Sequence, residues 1–231
     1  MTFEHANSDS KNTDQPIPKI TYFDVRGRAE VIRILLEEAG TQYTERRISI
    51  DEWPELKSNF TFGQLPIYEE GDLLLNQSNA IYRYLGRKYC LYGDSMMEQA
   101  RCDIIQETFV DAQNTLGAFY WNPDFENLRD EFEKNELPEL LTKIDNLFQS
   151  NSAESGYWVG TRLSFVDIVA WHFLDYVRPF SLKTLNKFEK LSQFKALVEQ
   201  RPRISDYLKS DRRPAIMTVS LSPFGGTPET S

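Results

Sequence analysis

The order of strand and helix patterns in residues 18–89 constrains the fold of this chain most strongly. The segment Lys19–Phe23 predicts a short strand. Apolar residues then recur at helical spacing over 28–39, and Gly40 is suited to end that helix. Apolar and polar residues alternate over 43–50 well enough to predict a second strand. A right-handed crossover through the helix makes these two strands parallel partners in one sheet.

A second unit of two strands and a helix follows the first. Residues 65–68 and 73–75 predict short strands, and the turn-forming segment 69–72 predicts a hairpin between them. Residues 78–89 then predict a helix with a serine near its start and one apolar face. The segment 51–62 is irregular and predicts only partial helix. Together the two units predict a small α/β sheet of roughly eighty residues.

Beyond residue 93 the pattern becomes entirely helical. Ser164 and Asp167 resemble a capping box, with aspartate in place of the usual glutamate, at the start of an apolar helix. No strand is predicted in this part of the chain. The predicted helices are 96–121, 128–149, 165–177, 183–200 and 204–208.

These patterns predict two domains between two tails. The chain of 231 residues is long enough for two modest domains with cores of their own. We expect an α/β domain at 18–94 and an all-helical domain at 95–211. Residues 1–17 are rich in Ser, Asn, Asp and Thr, and Pro, Ser, Thr and Gly dominate 212–231, so both segments are predicted to be flexible tails.

Net charge and the scarcity of cysteine and histidine argue against several functions. The formal net charge is −9 and there is no long Lys/Arg block, which argues against nucleic-acid binding. Two cysteines, Cys90 and Cys102, make no disulfide framework, and two distant histidines argue against a dedicated zinc site. Residues 1–15 lack the apolar region of a secretory signal, and no apolar run approaches the roughly 20 residues that span a bilayer. We therefore expect a cytoplasmic protein without a bound metal.

Tyr22 is the first candidate for chemistry. It ends the first predicted strand, at the edge where open α/β sheets bind ligands, and a loop with two arginines and a glycine follows it. A phenol stays protonated at neutral pH and can donate to an anion. Lowering the pKa of a thiol by two units from about 8.5 takes about 2.7 kcal/mol, and one charge-assisted hydrogen bond supplies roughly 1.5–3 kcal/mol. Tyr22 is therefore a candidate for stabilising a thiolate, and simple packing of its ring is the competing interpretation.

Further polar positions suit the binding of an anionic peptide. Ser78 with Gln77 predicts a helix start, where N-capping and carboxylate binding by free N–H groups are compatible. Leu65-Pro66 fits an edge strand with an ordinary trans bond, or a cis bond that would turn the backbone of Leu65 outward. Trp53 and Lys57 lie four residues apart, either as surface residues or as a carboxylate site.

Assembled, these residues make the chain resemble a cytosolic glutathione transferase of the tyrosine type, over roughly residues 18 to 210. The resemblance is closest to the sigma and pi classes. It implies a thioredoxin-like N-terminal domain, an all-helical C-terminal domain and a two-fold dimer. The motifs that carry it are Tyr-Phe-Asp-Val-Arg-Gly-Arg, Trp53 with Lys57, Phe-Gly-Gln-Leu-Pro, Asn-Gln-Ser-Asn-Ala-Ile and Ser-Phe-Val-Asp.

The resemblance assigns catalytic and charged-group roles to four residues. Tyr22 would donate its hydroxyl to the glutathione sulfur and stabilise the thiolate. Arg28 would stabilise that hydroxyl, or the charges of glutathione, electrostatically. Trp53 and Lys57 would hold the glycyl carboxylate.

It also assigns the contacts to the rest of the tripeptide. Leu65, before the cis proline Pro66 of the family, would pair with the cysteinyl backbone, and Gln64 would assist. Gln77 and Ser78 would bind the γ-glutamyl carboxylate at the helix start.

The implied dimer contributes to the site as well. Asp111 of the partner subunit would meet the γ-glutamyl amine, and Phe62 would insert between helices of the other subunit. Covering the local core of its own loop is the competing role for Phe62. The second substrate would bind between the domains, against Phe23, Val25, Tyr120 or Trp121 and the end of the chain.

The activity implied is conjugation of the glutathione thiolate to small hydrophobic electrophiles, with glutathione as co-substrate and no metal. Two alternatives stay open. One is a glutathione-dependent isomerase of the prostaglandin D synthase type, and the other is a crystallin-like or ligand-binding relative without turnover. The complete set of glutathione contacts argues against the last.

Overall fold

The sheet has four strands and is built as the two units predict. The computed structural model describes residues 16–228. The strands are β1 Lys19–Phe23, β2 Thr44–Ile48, β3 Ile67–Glu70 and β4 Leu73–Asn76. Their spatial order is β2-β1-β3-β4, with β1 and β2 parallel and the other pairs antiparallel. The predicted parallel pair and the predicted hairpin are confirmed.

Helices cover the sheet where the apolar spacing predicts them. They are α1 Ala29–Ala39, the short α2 Trp53–Leu56, and α3 Ser78–Lys88, and a single 3-10 turn, Lys57–Asn59, follows α2. Helix α1 ends at Gly40, whose φ of 69° lets its N–H bond back to the carbonyls of Leu36 and Glu37. This ending turns the chain directly into β2.

Up to residue 208 the rest of the chain consists of helices joined by loops. The helices are α4 Met96–Tyr120, α5 Phe125–Glu131, α6 Leu137–Gln149, α7 Phe165–Leu185, α8 Glu189–Glu199 and α9 Pro202–Leu208. Within residues 94–228 no strand occurs. None of the described helices is long and apolar enough to cross a membrane.

Three predicted helix boundaries are wrong. The predicted helix 128–149 is two helices, because a π-helical turn, Phe132–Glu136, separates α5 from α6. The helix predicted to end at 177 runs on to Leu185 through Pro179, with a kink at Ser181. A break after Leu185 then divides the helix predicted for 183–200.

The start of α7 is fixed by the predicted capping box. Asp167 is fully buried and accepts hydrogen bonds from the Ser164 N–H at 2.7 Å and the Ser164 hydroxyl at 2.6 Å. Its other oxygen accepts the Trp158 N–H at 2.8 Å. One side chain therefore joins the helix start to the loop before it.

Helix α7 also joins the two parts of the molecule. Its Phe165 lies against α3, where a Cβ on Gly86 would approach the ring to 3.0 Å. Its Asp175 is buried and pairs with Arg26 at 3.2 Å and Arg213 at 2.6 Å. Because Arg26 belongs to the loop after β1, this pairing fixes that loop against α7.

The C-terminal segment, residues 212–228, differs from the predicted flexible tail. Met217 is fully buried and Phe224 is 4% exposed. The carbonyls of Ile216 and Met217 accept the N–H groups of Arg26 and Gly27 at 2.9 and 3.0 Å. The Pro, Ser and Gly content favoured a loose segment, but two apolar anchors and these backbone bonds hold it on the core. The tail predicted at 1–17 lies outside the described residues except for residues 16 and 17.

Candidate active site

The Tyr22 ring is held at the end of β1 by a close approach of the backbone. Gly27 has a φ of +42°, and a Cβ at this position would lie 2.5 Å from the Tyr22 hydroxyl oxygen. Glycine is needed there both for the backbone angle and for the space that the ring occupies. The loop therefore folds back over Tyr22 and fixes where its hydroxyl can lie.

The Tyr22 hydroxyl has an unused proton. Its oxygen accepts the backbone N–H of Arg28 at 3.1 Å, and within residues 16–228 its own proton has no acceptor. Burial raises the pKa of Tyr22 above its ordinary value, against the lowering effects of the Arg28 N–H and of the Arg28 and Arg33 guanidiniums. Tyr82 supports the same loop by donating to the Arg28 carbonyl at 2.5 Å. Tyr22 is thus a protonated phenol that can donate to an anion.

A first cavity, which we call the polar cleft, extends from Tyr22 along the edge of the sheet. Its volume is about 340 Å³. Eight of the ten predicted glutathione-binding residues line it, and Phe23, Phe62, Gly63 and Asn76 complete the lining. The eight are Tyr22, Arg28, Trp53, Gln64, Leu65, Pro66, Gln77 and Ser78.

One end of the polar cleft is formed by the start of α3. Gln77 has a φ of 67°, and its carbonyl accepts the Ala80 and Ile81 N–H groups at 2.9 and 3.0 Å. Ser78 is therefore the first residue of the helix and not its N-cap, so the predicted capping role of its hydroxyl is wrong. The first N–H groups of a helix lack partners within the helix and attract anions. The Gln77 amide also donates to Gln64 at 3.2 Å, which links the two sides of this end.

The opposite end of the polar cleft is aromatic and cationic. The Trp53 ring lies edge-on to Phe23, with centroids 5.5 Å apart. Lys57 does not line the cleft itself, but its side chain covers Gly63, where a Cβ would lie 3.2 Å from the Lys57 Cε. Trp53 therefore lines the cleft itself, whereas Lys57 lies beside it, against Gly63.

The Leu65-Pro66 peptide bond is cis. The resemblance to the family implies this isomer, whereas the residues alone leave it open. The backbone of Leu65 lies in the wall of the polar cleft between Gln64 and the buried Pro66.

A second cavity, the inner cavity, lies on the other side of Tyr22 and measures about 320 Å³. Tyr22 and Arg28 line both cavities. The predicted pocket residues Tyr120 and Trp121 line the inner cavity, but Phe23 and Val25 do not. Phe23 packs on Trp53 in the polar cleft, and Val25 is only 6% exposed, because the loop after β1 turns it into the core.

Sequence reasoning missed the helical part of the inner cavity. Gln113, Leu116 and Gly117 line it from α4, and His172 and Tyr176 line it from α7. Spacings of three and four residues place each set on one helix face, which is a signal that the sequence carries. The register of α4 relative to Tyr22, however, depends on the packing of the two domains.

The two residues expected to act across the dimer, Asp111 and Phe62, are both exposed, and of the two only Phe62 lines one of these cavities, the polar cleft. Asp111 is exposed on α4 and lines neither cavity. Phe62 is 61% exposed, so it does not cover the core of its own loop. Both side chains are available to a partner molecule.

The arrangement suits a reaction between two bound molecules. An anionic, extended ligand fits the polar cleft, and an apolar one fits the inner cavity. The phenol proton of Tyr22 lies at their junction, where it can stabilise a nucleophilic anion.

Comparisons with known proteins indicate one family over most of the chain. The family model described as glutathione S-transferase, N-terminal domain, matches residues 18–87, and the one described as glutathione S-transferase, C-terminal domain, matches residues 110–211. A glutathione S-transferase of Dirofilaria immitis is 34% identical over 189 residues, which cover 82% of this chain and 90% of that protein. Glutathione S-transferase P 1 of Xenopus laevis is 35% identical over 198 residues, covering 84% and 92%.

A solved structure agrees with these matches. The pi-class glutathione S-transferase of Onchocerca volvulus has a TM-score of 0.79 at 32% identity and covers 83% of this chain and 92% of its own. The predicted family and fold are confirmed. The predicted domain boundary after residue 94 lies between the two matched regions and stays a prediction.

Proposed function

The chain belongs to the glutathione S-transferase family, and from this premise we propose that Tyr22 activates the sulfur of glutathione. The protein is a transferase that conjugates glutathione to electrophiles. One observation carries the role of Tyr22: its hydroxyl lies where the two cavities meet, and its proton has no acceptor within residues 16–228. The backbone N–H of Arg28 orients this hydroxyl and polarises it, and the Arg28 guanidinium adds positive charge beside the thiolate.

Glutathione lies extended in the polar cleft in this proposal. Its γ-glutamyl carboxylate binds Gln77, Ser78 and the free N–H groups at the start of α3. Its cysteinyl backbone pairs with the backbone of Leu65, with Gln64 beside it. The position of these residues along one wall of the cleft supports this orientation.

The glycyl end then lies at the aromatic and cationic end of the cleft. Trp53 donates its indole N–H and Lys57 its ammonium group to the glycyl carboxylate. A solvated ion pair of this kind contributes about 1 kcal/mol or less, so we expect it to affect the KM for glutathione more than kcat.

Thiolate stabilisation accounts for the chemistry. A thiol with a pKa of about 8.5 is mostly protonated at neutral pH, and a charge-assisted hydrogen bond of roughly 1.5–3 kcal/mol lowers its pKa by about one to two units. The electrophile in the inner cavity is then held next to the thiolate, so a bimolecular step becomes an effectively unimolecular reaction within one complex.

We propose that the enzyme is a homodimer and that the partner completes the site. Met97, Ile104 and Asp111 are spaced by seven residues on α4 and share one exposed stripe. Met97 is 84% exposed and Ile104 is 60% exposed, which suits burial against a second copy. Asp111 on this stripe then reaches the γ-glutamyl amine in the partner, and Phe62 inserts into the partner. The proposed location is the cytoplasm, as the family resemblance implies.

The role of Tyr22 is tested by steady-state kinetics with 1-chloro-2,4-dinitrobenzene. We expect Tyr22→Phe to reduce kcat/KM about 10- to 100-fold at pH 7, because the variant loses one hydrogen bond to the thiolate. Tyr43→Phe is the matched control, since the Tyr43 hydroxyl donates to Glu37 outside both cavities. Equal rates for the wild type and Tyr22→Phe would exclude the proposed role.

A further inference from the structure

A third cavity lies in the helical part of the molecule and shares no lining residue with the polar cleft or the inner cavity. We call it the α6–α8 cavity, because the end of α6, the loop residues 151–157 and α8 line it. Its volume is about 490 Å³, against about 340 Å³ for the polar cleft and 320 Å³ for the inner cavity. A cavity of this size suits a small molecule, and the proposed conjugation reaction does not use it.

The floor of the α6–α8 cavity is apolar and aromatic. Phe148 and Phe194 line it, and both are buried. Trp158 is fully buried and does not line the cavity, but its ring centroid lies 4.9 Å from that of Phe148 and 5.9 Å from that of Phe194. Leu197 adds an aliphatic surface from α8. Because these rings belong to the packed core, the floor can accept an aromatic group without rearrangement.

One wall of the cavity is a loop that its own hydrogen bonds hold in place. The Asn151 amide and the Ser155 hydroxyl both donate to the Gly160 carbonyl, at 3.1 and 2.7 Å. Gly156 has a φ of +82°, and a Cβ at this position would lie 3.2 Å from the Leu197 Cδ2, so the loop backbone lies close to α8. The cavity is therefore formed before any ligand binds, which reduces the ordering cost of binding.

Two charged side chains, one of each sign, line the α6–α8 cavity. They are Lys190 and Glu154, and both are exposed, so the charges lie at the mouth and the apolar rings at the floor. The Lys190 ammonium group donates to the uncharged Gln149 amide oxygen at 2.9 Å. Within residues 16–228 neither Lys190 nor Glu154 forms an ion pair. Both charges are therefore available to a ligand.

We propose that the α6–α8 cavity binds an aromatic α-amino acid, which is a small zwitterion with an apolar body. Its carboxylate pairs with Lys190, its ammonium group pairs with Glu154, and its ring lies on Phe148 and Phe194. An apolar anion would be repelled by the Glu154 carboxylate, and an apolar amine by the Lys190 ammonium group, so a ligand that carries both charges fits better than either. The site is separate from Tyr22, so its test does not depend on the proposed function.

The ligand class is tested by dissociation constants from NMR titration, with S-hexylglutathione present at saturation to fill the cavities at Tyr22. We expect L-phenylalanine to bind with a Kd of about 0.1–1 mM, because the site buries one ring and adds two exposed ion pairs. 3-Phenylpropionate lacks the ammonium group and 2-phenylethylamine lacks the carboxylate, so we expect each to bind roughly two- to fivefold more weakly. Equal Kd values for the three ligands, or no binding of L-phenylalanine, would overturn the proposal.

Two substitutions should affect the two analogues in opposite ways. We expect Lys190→Gln to weaken L-phenylalanine and 3-phenylpropionate roughly two- to fivefold but not 2-phenylethylamine, and Glu154→Gln to weaken L-phenylalanine and 2-phenylethylamine but not 3-phenylpropionate. Lys187→Gln is the matched control, because Lys187 is exposed and lines none of the three cavities. The same effect in Lys187→Gln and Lys190→Gln would contradict the proposed site. All three variants should conjugate glutathione at the wild-type rate, and a wild type without that activity would refute the proposed function but not this site.

The tryptophan side chains show where the amino acid binds. Among the four tryptophans, Trp53 lines the polar cleft, Trp121 lines the inner cavity and Trp158 contacts the floor of the α6–α8 cavity. In a ¹H–¹⁵N spectrum we expect L-phenylalanine to shift the indole N–H signal of Trp158 and to leave those of Trp53 and Trp121 in place. Shifts at Trp53 or Trp121 without one at Trp158 would place the ligand elsewhere and contradict the proposal.

Discussion

Among single residues, Gly27 decides whether the Tyr22 hydroxyl can reach its position. We expect Gly27→Ala to move the Tyr22 ring, because the new Cβ would lie 2.5 Å from the hydroxyl oxygen at a φ of +42°. The cost to the free energy of unfolding should be about 1–3 kcal/mol, with a loss of kcat/KM of about tenfold or more. Gly71→Ala is the matched control: its φ is +57°, and its Cβ would meet only Pro16. It should lose stability but keep activity, and equal kinetics in the two variants would show that the clash with Tyr22 is unimportant.

His172 gives the molecule a specific pH dependence of stability. Its folded-state pKa of about 4 lies below the unfolded value of about 6.5, so the unfolded chain binds the proton first as the pH falls. The stability from this group is complete above pH 6.5 and is lost as the pH falls toward 4. When the pH falls from 7 to 5, we expect the free energy of unfolding of the wild type to decrease by about 2 kcal/mol more than that of His172→Asn. Urea unfolding at both pH values measures this, and equal losses would show that the imidazole is not buried in its neutral form.

Among the elements, the C-terminal segment contributes Thr218 to the lining of the inner cavity and packs against the cavity residue Tyr120. The Phe224 ring lies 4.7 Å from that of Tyr120 and 5.3 Å from that of Phe125. We expect Phe224→Ala to reduce the free energy of unfolding by about 3 kcal/mol and to raise the KM for hydrophobic electrophiles several-fold, because Tyr120 lines the cavity. Leu221→Ala is the control in the same segment, since Leu221 is 68% exposed. If both variants lose the same stability, Phe224 does not anchor the segment.

The elements also show how far sequence reasoning reaches. Local signals were sufficient for β1 through α3, where Gly40, the hairpin turn and the spacing of apolar residues each act within a few positions. They failed where packing overrides local preference, as at Pro179, which α7 tolerates with a kink, and in the segment around Met217. In the site, the polar cleft was predictable because its residues occur in short motifs. His172 and Tyr176 were missed because only the packing of α7 against the loop after β1 brings them to Tyr22.

For the whole molecule, the exposed stripe on α4 and the exposed Phe62 predict a dimer. The dimer buries two copies of Phe62, and each contributes about 1.5–3 kcal/mol. We therefore expect the Phe62→Ala dimer to dissociate at a protein concentration roughly 10²- to 10⁴-fold higher than the wild-type dimer. Sedimentation equilibrium measures this change. Leu182→Ala is the control, because Leu182 is an exposed apolar residue on α7. A Kd unaffected by Phe62→Ala, or a wild-type monomer, would contradict the proposed assembly.

The two cavities meet only because both parts of the molecule contribute to them. Tyr22 and Arg28 come from the sheet domain, whereas Tyr120 and His172 come from α4 and α7. The buried pairing of Asp175 with Arg26 and Arg213 holds these parts together. Burial acts to raise the pKa of Asp175, but Arg213, Lys195 and Arg26 together keep this pKa below its ordinary value, so the pairing persists at neutral pH.

The most direct test is the pKa of the thiol of bound glutathione, followed by the ultraviolet absorbance of the thiolate as the pH is raised. In the wild type and in Tyr43→Phe we expect this pKa to lie well below that of free glutathione. In Tyr22→Phe we expect it to rise by about one to two units, which corresponds to the loss of one charge-assisted hydrogen bond. The same thiol pKa in Tyr22→Phe and in the wild type would contradict the assignment of Tyr22 as the residue that stabilises the thiolate.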